Sequence, residues 1–323
     1  MAKIIRSTDA QPEALALIEA GEVVAIPTET VYGLAADATN GRAVARIFEV
    51  KGRPRFNPLI AHVASLDMAR AIAVLDPLSQ RLAEAFWPGP LTLVLPLSPG
   101  SPIHPLVTAG LDTVAVRMPR GFGAGLIAAL GRPLAAPSAN SSGRISATSA
   151  AAVAADLGER IPLIVDGGQT AVGLESTIVK VERGEVTLLR PGGVAAEEIE
   201  RVGRLPLTRG GAKIVAPGML ASHYAPNAAV RVDAREVRPG EALLAFGPDE
   251  FAGSEHAIAV RNLSTTGDLA EAAANLFAML ADLDASGAAT IAVAPIPSAG
   301  LGEAINDRLR RAAAPRDIVD LPS

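Results

Sequence analysis

Hydrophobic and polar positions follow two different rhythms along this chain, and the rhythms repeatedly change places. Short apolar runs bounded by Gly, Pro or charged residues predict buried strands over 22–27, 58–63, 91–95, 113–117, 133–136, 163–165, 177–181 and 186–189. Between them apolar positions recur at helical spacing. Residues 11–20 predict a short amphipathic helix, and Val44, Ile47 and Phe48 mark another over 42–50 with Asn40 as its N-cap. Residues 66–86 predict two helical pieces separated at Pro77, and further helices fit 148–157 and 195–201. The glycine-rich GFGAG, residues 121–125, reads as the start of one more. A hairpin around Arg183-Gly184 turns the interleaved pattern toward a mixed sheet rather than a wholly parallel one.

The periodicity lapses over 206–228, which is rich in Gly and Pro and predicts a linker. It then restarts, with strands expected at 229–232, 242–246, 257–260 and 290–294. Leu269, Ala273, Leu276, Phe277, Leu280 and Leu283 form a helical stripe, and a last helix fits 301–313. A length of 323 residues suits two cores. The expected organisation is an α/β domain over 1–205, a linker over 206–228, and a small α/β domain over 229–323.

Composition narrows the classes. Hydrophobic residues are 49% and charged residues 20%, which excludes disorder. No apolar run reaches the roughly 18 residues of a membrane helix, and the N-terminus has no long apolar leader, so a cytoplasmic protein without membrane contact is expected. There is no cysteine, which excludes disulfides and thiolate metal sites, and the four histidines form no H-x-x-x-H pair. The net charge of -5 speaks against general nucleic-acid binding. Several basic residues nevertheless fall in Gly/Pro/Ser-rich segments rather than on helix faces: Lys51, Arg53, Arg55, Arg117, Arg120, Arg144 and Arg190.

Four segments combine chemistry with strand ends, where ligands of α/β proteins sit. PTETVYGL (27–34) follows a strand; it is also compatible with a turn whose threonines satisfy local backbone groups. KGRPRFNPLIAHV (51–63) places three cations within five residues, a repulsion that a polyphosphate or carboxylate relieves, though a solvated basic loop is the plainer alternative. His62 lies in its apolar strand, where a core histidine and a ligand-binding one both fit. APSANSSGRISATSA (136–150) is hydroxyl-rich ahead of a helix, which makes either an anion cradle or a long capping loop. DGGQTAVGLESTIV (166–179) and LLRPGG (188–193) again put polar groups at strand ends. The P-loop pattern G-x-x-x-x-G-K-[ST] and the hydrolase pattern G-x-S-x-G are both missing.

Taken in order, PTETVYGL, KGRP with NPL, WPGPLTLVL, VAVRMP, SAN-x-SG, DGG with EST, and LRPGG resemble the YrdC-like family over residues 20–195. The segment APGMLASHYAP and the extra C-terminal domain are similar to the long, two-domain form, although Leu220-Ala221 stands where many members carry Lys-Tyr. The resemblance implies a twisted mixed-sheet YrdC-like catalytic domain with a Rossmann-like second domain. It implies synthesis of threonylcarbamoyl-adenylate from L-threonine, bicarbonate and ATP, with Mg2+ travelling on the triphosphate. Downstream, it implies transferase machinery that uses the product to modify tRNA. By motif position, the resemblance gives ATP to Lys51, Arg53, Asn57, Thr113, Asn140, Thr148, Arg190 and Tyr224. It gives L-threonine to Thr30, His62, Arg117, Ser138 and Ser176, and the developing carboxylate to Lys51 and Arg53. Independently of the resemblance, Met219, His223 and Tyr224 within a short span of the Pro/Gly-rich 206–228 are more than a spacer needs, so a lid over the cleft is expected there, with Tyr224 merely packing the domain interface as the plainer alternative. Two other readings compete. One is a double-stranded RNA or tRNA-binding module without ATP turnover. The other is a carbamoyl-transfer domain of hydrogenase maturation, whose extra zinc-finger modules the lack of cysteine disfavours.

Overall fold

The computed structural model describes residues 1–210, 216–218 and 222–315. Met219 and the Leu220-Ala221 departure lie outside them. The chain divides into two compact units, one of residues 1–142 and 146–219, the other of 143–145 and 220–323.

The first unit carries strands β1 (Lys3–Arg6), β2 (Val24–Ile26), β3 (Gly33–Asp37), β4 (Ile60–His62), β5 (Leu91–Pro96) and β6 (Thr113–Arg117). They continue as β7 (Leu134–Ala135), β8 (Leu163–Asp166), β9 (Thr177–Glu182), β10 (Glu185–Arg190) and β11 (Thr208–Arg209). Among the described residues these form one mixed sheet in the order β1-β8-β2-β3-β7-β4-β6-β5-β9-β10-β11. The helices are α1 (Gln11–Glu19), α2 (Gly41–Lys51), α3 (Leu66–Ile72), α4 (Pro77–Phe86), α5 (Pro105–Thr108), α6 (Phe122–Leu130), α7 (Ala150–Leu157) and α8 (Ala196–Gly203). Asn40 caps α2 as expected, its side chain accepting from the backbone of Arg42 at 3.0 Å. The hairpin at Arg183-Gly184 joins β9 and β10 antiparallel. Three strands were not expected, β1, β3 and β11, the last inside the predicted linker. The sequence of β3 is GLAAD, whose small residues have little strand preference, and pairing with β2 and β7 makes it a strand.

The two faces of the sheet are covered differently. One face enters a continuous core in which Leu34, Ala61, Leu93, Val116 and Val179 meet Ile47 of α2, Leu82 of α4 and Val153 of α7. On the other face, α1 and α6 cover only the β8-β2-β3-β7 half, through Ile18, Leu126, Val24, Ile26 and Leu134. Over β4, β6, β5 and β9 that face holds a separate small cluster, Ile60, Ala115, Val94 and Ile178. Among the described residues no helix contributes to it; Ala216 from the predicted linker does. The helical layer stops halfway across the sheet, and the polar residues of interest begin there.

The second unit is a parallel sheet of β12 (Ala229–Arg231), β13 (Glu241–Ala245), β14 (Val260–Asn262) and β15 (Thr290–Val293), in the order β12-β15-β13-β14. Helix α9 (Leu269–Asp284) buries Leu276, Phe277 and Leu280, and α10 (Leu301–Ala313) follows. The strand expected at 257–260 falls at 260–262, because pairing with β13 rather than the apolar run sets its position. Tyr224 is fully buried in this unit. Its ring centroid lies 4.0 Å from that of His223 and 5.6 Å from that of Phe277, with the Arg308 guanidinium 4.9 Å over it.

Candidate active site

Register assembles the site. His62 on β4 lies opposite Arg117 on β6. Val116 opposes Leu93, which brings Arg117 beside Thr92 on β5. Thr92 in turn opposes Ile178 on β9, and Ile178 opposes Arg190 at the end of β10. Cross-strand partners share a face, so residues scattered over 62–190 form one row on the half of the sheet whose apolar cluster takes no helix residue among those described.

Arg117 is buried and donates from Nη2 to Glu29 Oε1 at 2.6 Å and from Nε to the Gly89 carbonyl at 3.2 Å. The other Glu29 oxygen accepts the Arg120 backbone N–H at 3.0 Å. Each buried charge therefore has a partner, without which its burial costs several kcal/mol. Burial, and next the adjacent Arg117 charge, push His62 down to about 3, so its imidazole is neutral and offers hydrogen bonds without adding charge. Thr28 gives its single hydroxyl proton to the Val31 carbonyl at 2.7 Å. In the 2.8 Å contact between the two hydroxyls Thr30 is then the donor. Ser176 Oγ lies 2.7 Å from Thr92 Oγ1 and accepts from Arg190 Nη2 at 3.3 Å, while the Ser176 carbonyl accepts from the same nitrogen at 2.8 Å. Arg190 Nη1 reaches the Pro217 carbonyl at 3.4 Å.

A second group adjoins the first. Lys51, the last residue of α2, donates to the Ser138 carbonyl at 2.6 Å and to the Asn140 carbonyl. Arg53 donates to the carbonyls of Asn57 at 3.2 Å and Pro58 at 2.8 Å. The reading of this segment as a solvated basic loop is corrected here. Lys51 is 3% and Arg53 8% exposed, and main-chain carbonyls accept from both; Arg55 alone of the three cations faces solvent. Burial, then the Arg53 charge, hold the Lys51 ammonium well below the usual lysine value. The Asn57 side chain is fully buried, and its amide nitrogen and oxygen make no hydrogen bond among the described residues. Such orphaned atoms cost about 1–3 kcal/mol each, a cost that a bound polar ligand removes.

Thr148 accepts from Thr170 N at 3.0 Å through its carbonyl and from Gln169 Nε2 at 3.3 Å through its hydroxyl. Thr113 opens β6 on the face that Arg117 closes, about 13 Å away along the strand. Tyr224 belongs to the second unit. The structure thus draws Lys51, Arg53, Asn57, Ser138 and Asn140 into one group and Thr30, His62, Arg117, Ser176 and Arg190 into a neighbouring one.

Sequence reasoning assigned no role to Glu29, Thr92, or the buried Ser146–Glu175 hydrogen bond. Thr92 had a signal, a polar residue inside the apolar run LTLVL. The LRPGG segment has a steric meaning: a Cβ on Gly192 would lie 2.4–2.5 Å from the backbone of Glu175, Ser176 and Thr177.

Comparison with known proteins agrees with this architecture. Residues 16–192 match the Sua5, YciO and YrdC family described as "Telomere recombination", and residues 194–314 match "Threonylcarbamoyl-AMP synthase, C-terminal domain". The chain is 44% identical to a threonylcarbamoyl-AMP synthase of Pyrococcus abyssi over 94% of each chain. It is 41% identical to that of Bacillus subtilis, over 95% of this chain and 93% of the relative. The crystal structure of P. abyssi Sua5 complexed with L-threonine superimposes with a TM-score of 0.86 at 39% identity, covering 97% of both chains.

Proposed function

The chain belongs to the Sua5, YciO and YrdC family of threonylcarbamoyl-AMP synthases, and from that membership we propose that it condenses L-threonine, bicarbonate and ATP into threonylcarbamoyl-AMP. The threonine amine attacks the bicarbonate carbon with loss of water, giving an N-carboxylate. An oxygen of that carboxylate attacks the α-phosphorus of ATP, and pyrophosphate leaves. The reactants are anions, so catalysis rests on bringing them together and stabilising the charge.

The observation that carries this reading is the pair of buried cations, Lys51 and Arg53, held by main-chain carbonyls beside the orphaned Asn57 amide. In this reading Lys51, Arg53, Asn57 and Asn140 meet the phosphates and nucleotide, and the nucleotide also reaches Thr148, Thr113 and Arg190, the last standing beside Ser176 in the neighbouring group. Arg117, neutral His62, Thr30, Ser138 and Ser176 hold threonine, with Arg117 facing its carboxylate. Mg2+ enters as part of the ATP substrate. What supports this is that the carboxylates of the site are already engaged, Glu29 by Arg117 and Glu175 by Ser146. The product passes to a transferase that modifies tRNA, in the cytoplasm. Family membership favours this reading over an RNA-binding module without turnover.

Incubating the protein with labelled bicarbonate, threonine and MgATP tests it. Pyrophosphate release that requires all three substrates, with label in an adenylate, is the expected result; release independent of threonine or bicarbonate refutes it.

A further inference from the structure

We propose that Asp156 and Arg160 are positioning residues, a clamp that sets Lys51 and Asn140 against each other for the nucleotide. This rests on the reading above that Lys51 and Asn140 meet ATP. The last carbonyls of a helix have no partner inside it, and α2 ends at Lys51. Arg160 Nη1 donates to the Val50 carbonyl at 2.6 Å, one residue before Lys51. Its Nη2 reaches Ser141 Oγ at 2.7 Å, the Asp156 carbonyl at 2.9 Å and Asp156 Oδ1 at 3.0 Å. Asp156 Oδ2 accepts the Ser141 backbone N–H at 2.6 Å, and Asn140 Nδ2 donates to the Ser141 carbonyl at 2.9 Å. One guanidinium therefore ties the helix end that carries Lys51 to the residue that follows Asn140. Three bonds complete the ring. Ser142 N donates to the Lys51 carbonyl at 2.8 Å, and the Lys51 ammonium reaches the Ser138 and Asn140 carbonyls.

The clamp is built for geometry more than for stability. Asp156 and Arg160 are an i,i+4 pair at the end of α7, with side chains 30% and 42% exposed. Such a pair alone adds only a few tenths of a kcal/mol. Arg160 nevertheless directs one nitrogen to α2 and the other to Ser141 and Asp156, a use of the planar fork that a lysine, with one charged centre, does not reproduce. The clamp also bears on the charge of Lys51. The charged groups facing it are Arg53, Asp156, Arg160 and Glu175. Arg53 and Arg160 favour its neutral form, and Asp156 and Glu175 its ammonium.

The test uses the full chain with Arg160→Met, Arg160→Lys, Asp156→Asn and Lys51→Ala, following pyrophosphate release. Displacing a charged group by about an ångström costs up to roughly a hundredfold. Arg160→Met and Asp156→Asn are expected to lower kcat/KM for ATP about tenfold or more, with KM for threonine within about twofold of wild type. Arg160→Lys is expected not to restore it. Because kcat/KM reports groups of the free enzyme, the alkaline limb of its pH profile is expected to move in opposite directions. Asp156→Asn shifts it to lower pH and Arg160→Met to higher pH, a split that loss of structure does not produce. Wild-type kcat/KM for ATP in both variants, rescue by lysine, or equal losses for ATP and threonine with limbs moving together overturns the clamp. An active Lys51→Ala enzyme instead refutes the role of Lys51 in ATP binding and leaves the clamp nothing to position. An inactive Lys51→Ala enzyme with unaffected Asp156 and Arg160 variants refutes the clamp alone.

Discussion

Lys51 and Arg53 keep their positive charges out of water, and that placement decides what replacing them does. Loss of one cation that stabilises transition-state charge typically costs about 2.7–4 kcal/mol, or a factor of roughly 10²–10³ in rate. Lys51→Ala and Arg53→Ala are expected to lose that much in pyrophosphate release; wild-type rates in either remove the pair from the mechanism. Because both side chains are buried, their stability changes are expected to exceed the roughly 0.5 kcal/mol usual at surface positions. His62 gives a pH signature. Its value is about 3 in the folded protein against 6.5 ordinarily, so between those values the unfolded chain binds a proton that the folded protein does not. Stability is then fully present above about pH 6.5 and falls as pH drops toward 3. His62→Gln is expected to flatten the fall in urea midpoint between pH 7.5 and about 5; an unchanged slope assigns the acid sensitivity to other groups. At this scale the sequence was readable wherever chemistry was written in the residue type, as in Lys51, Arg53 and Asn57. It was silent on Glu29, whose partner Arg117 lies 88 positions away and reaches it only through the fold.

Elements were legible where a local signal fixed them. Asn40 marks the start of α2, Pro77 the start of α4, and Arg183-Gly184 the β9–β10 hairpin. Strands β1 and β3 carry weak signals and exist because neighbouring strands offer hydrogen bonds. Glycines separate local from tertiary demand most sharply. Gly192→Ala drives a Cβ into the backbone of Glu175–Thr177 and is expected to destabilise by about 1–3 kcal/mol, as overpacking does. Gly125→Ala, inside α6 with nothing within 4 Å of its Cβ, is expected to stabilise by about 0.5–1 kcal/mol through helix preference. Thermal melts of the two variants should move in opposite directions; equal shifts refute the steric account of LRPGG.

At the scale of the whole molecule, the stretch expected as a linker contributes to the first unit. Ala216 lies on the Ile60, Val94, Ala115 and Ile178 cluster, and the Pro217 carbonyl accepts from Arg190. A chain ended at residue 205 uncovers that apolar cluster and takes one partner from a residue of the proposed nucleotide side. It is expected to bind ATP more weakly, by calorimetry, and to form less product; turnover at the full-length rate makes the stretch a tether only. Tyr224 needs two variants to interpret. Its ring packs on His223, Phe277 and Arg308 in the second unit. Tyr224→Ala removes a buried aromatic, a loss of about 3–5 kcal/mol, whereas Tyr224→Phe keeps the packing and isolates the hydroxyl.

By itself the sequence determined the alternation of strands and helices, the two-domain organisation, the family, and the residue types from which the site is proposed. These follow from local periodicity, turn chemistry and residue type, which act over a few positions. Only the tertiary structure decided that no helix among the described residues contributes to the apolar cluster on the half-sheet bearing His62, Arg117 and Thr92, that Lys51 and Arg53 are buried, and that Asp156 and Arg160 brace Lys51. Those outcomes depend on strand order and register, which bring together residues scores of positions apart. A hydrophobic pattern records that a strand is buried, and it does not record which strand lies beside it.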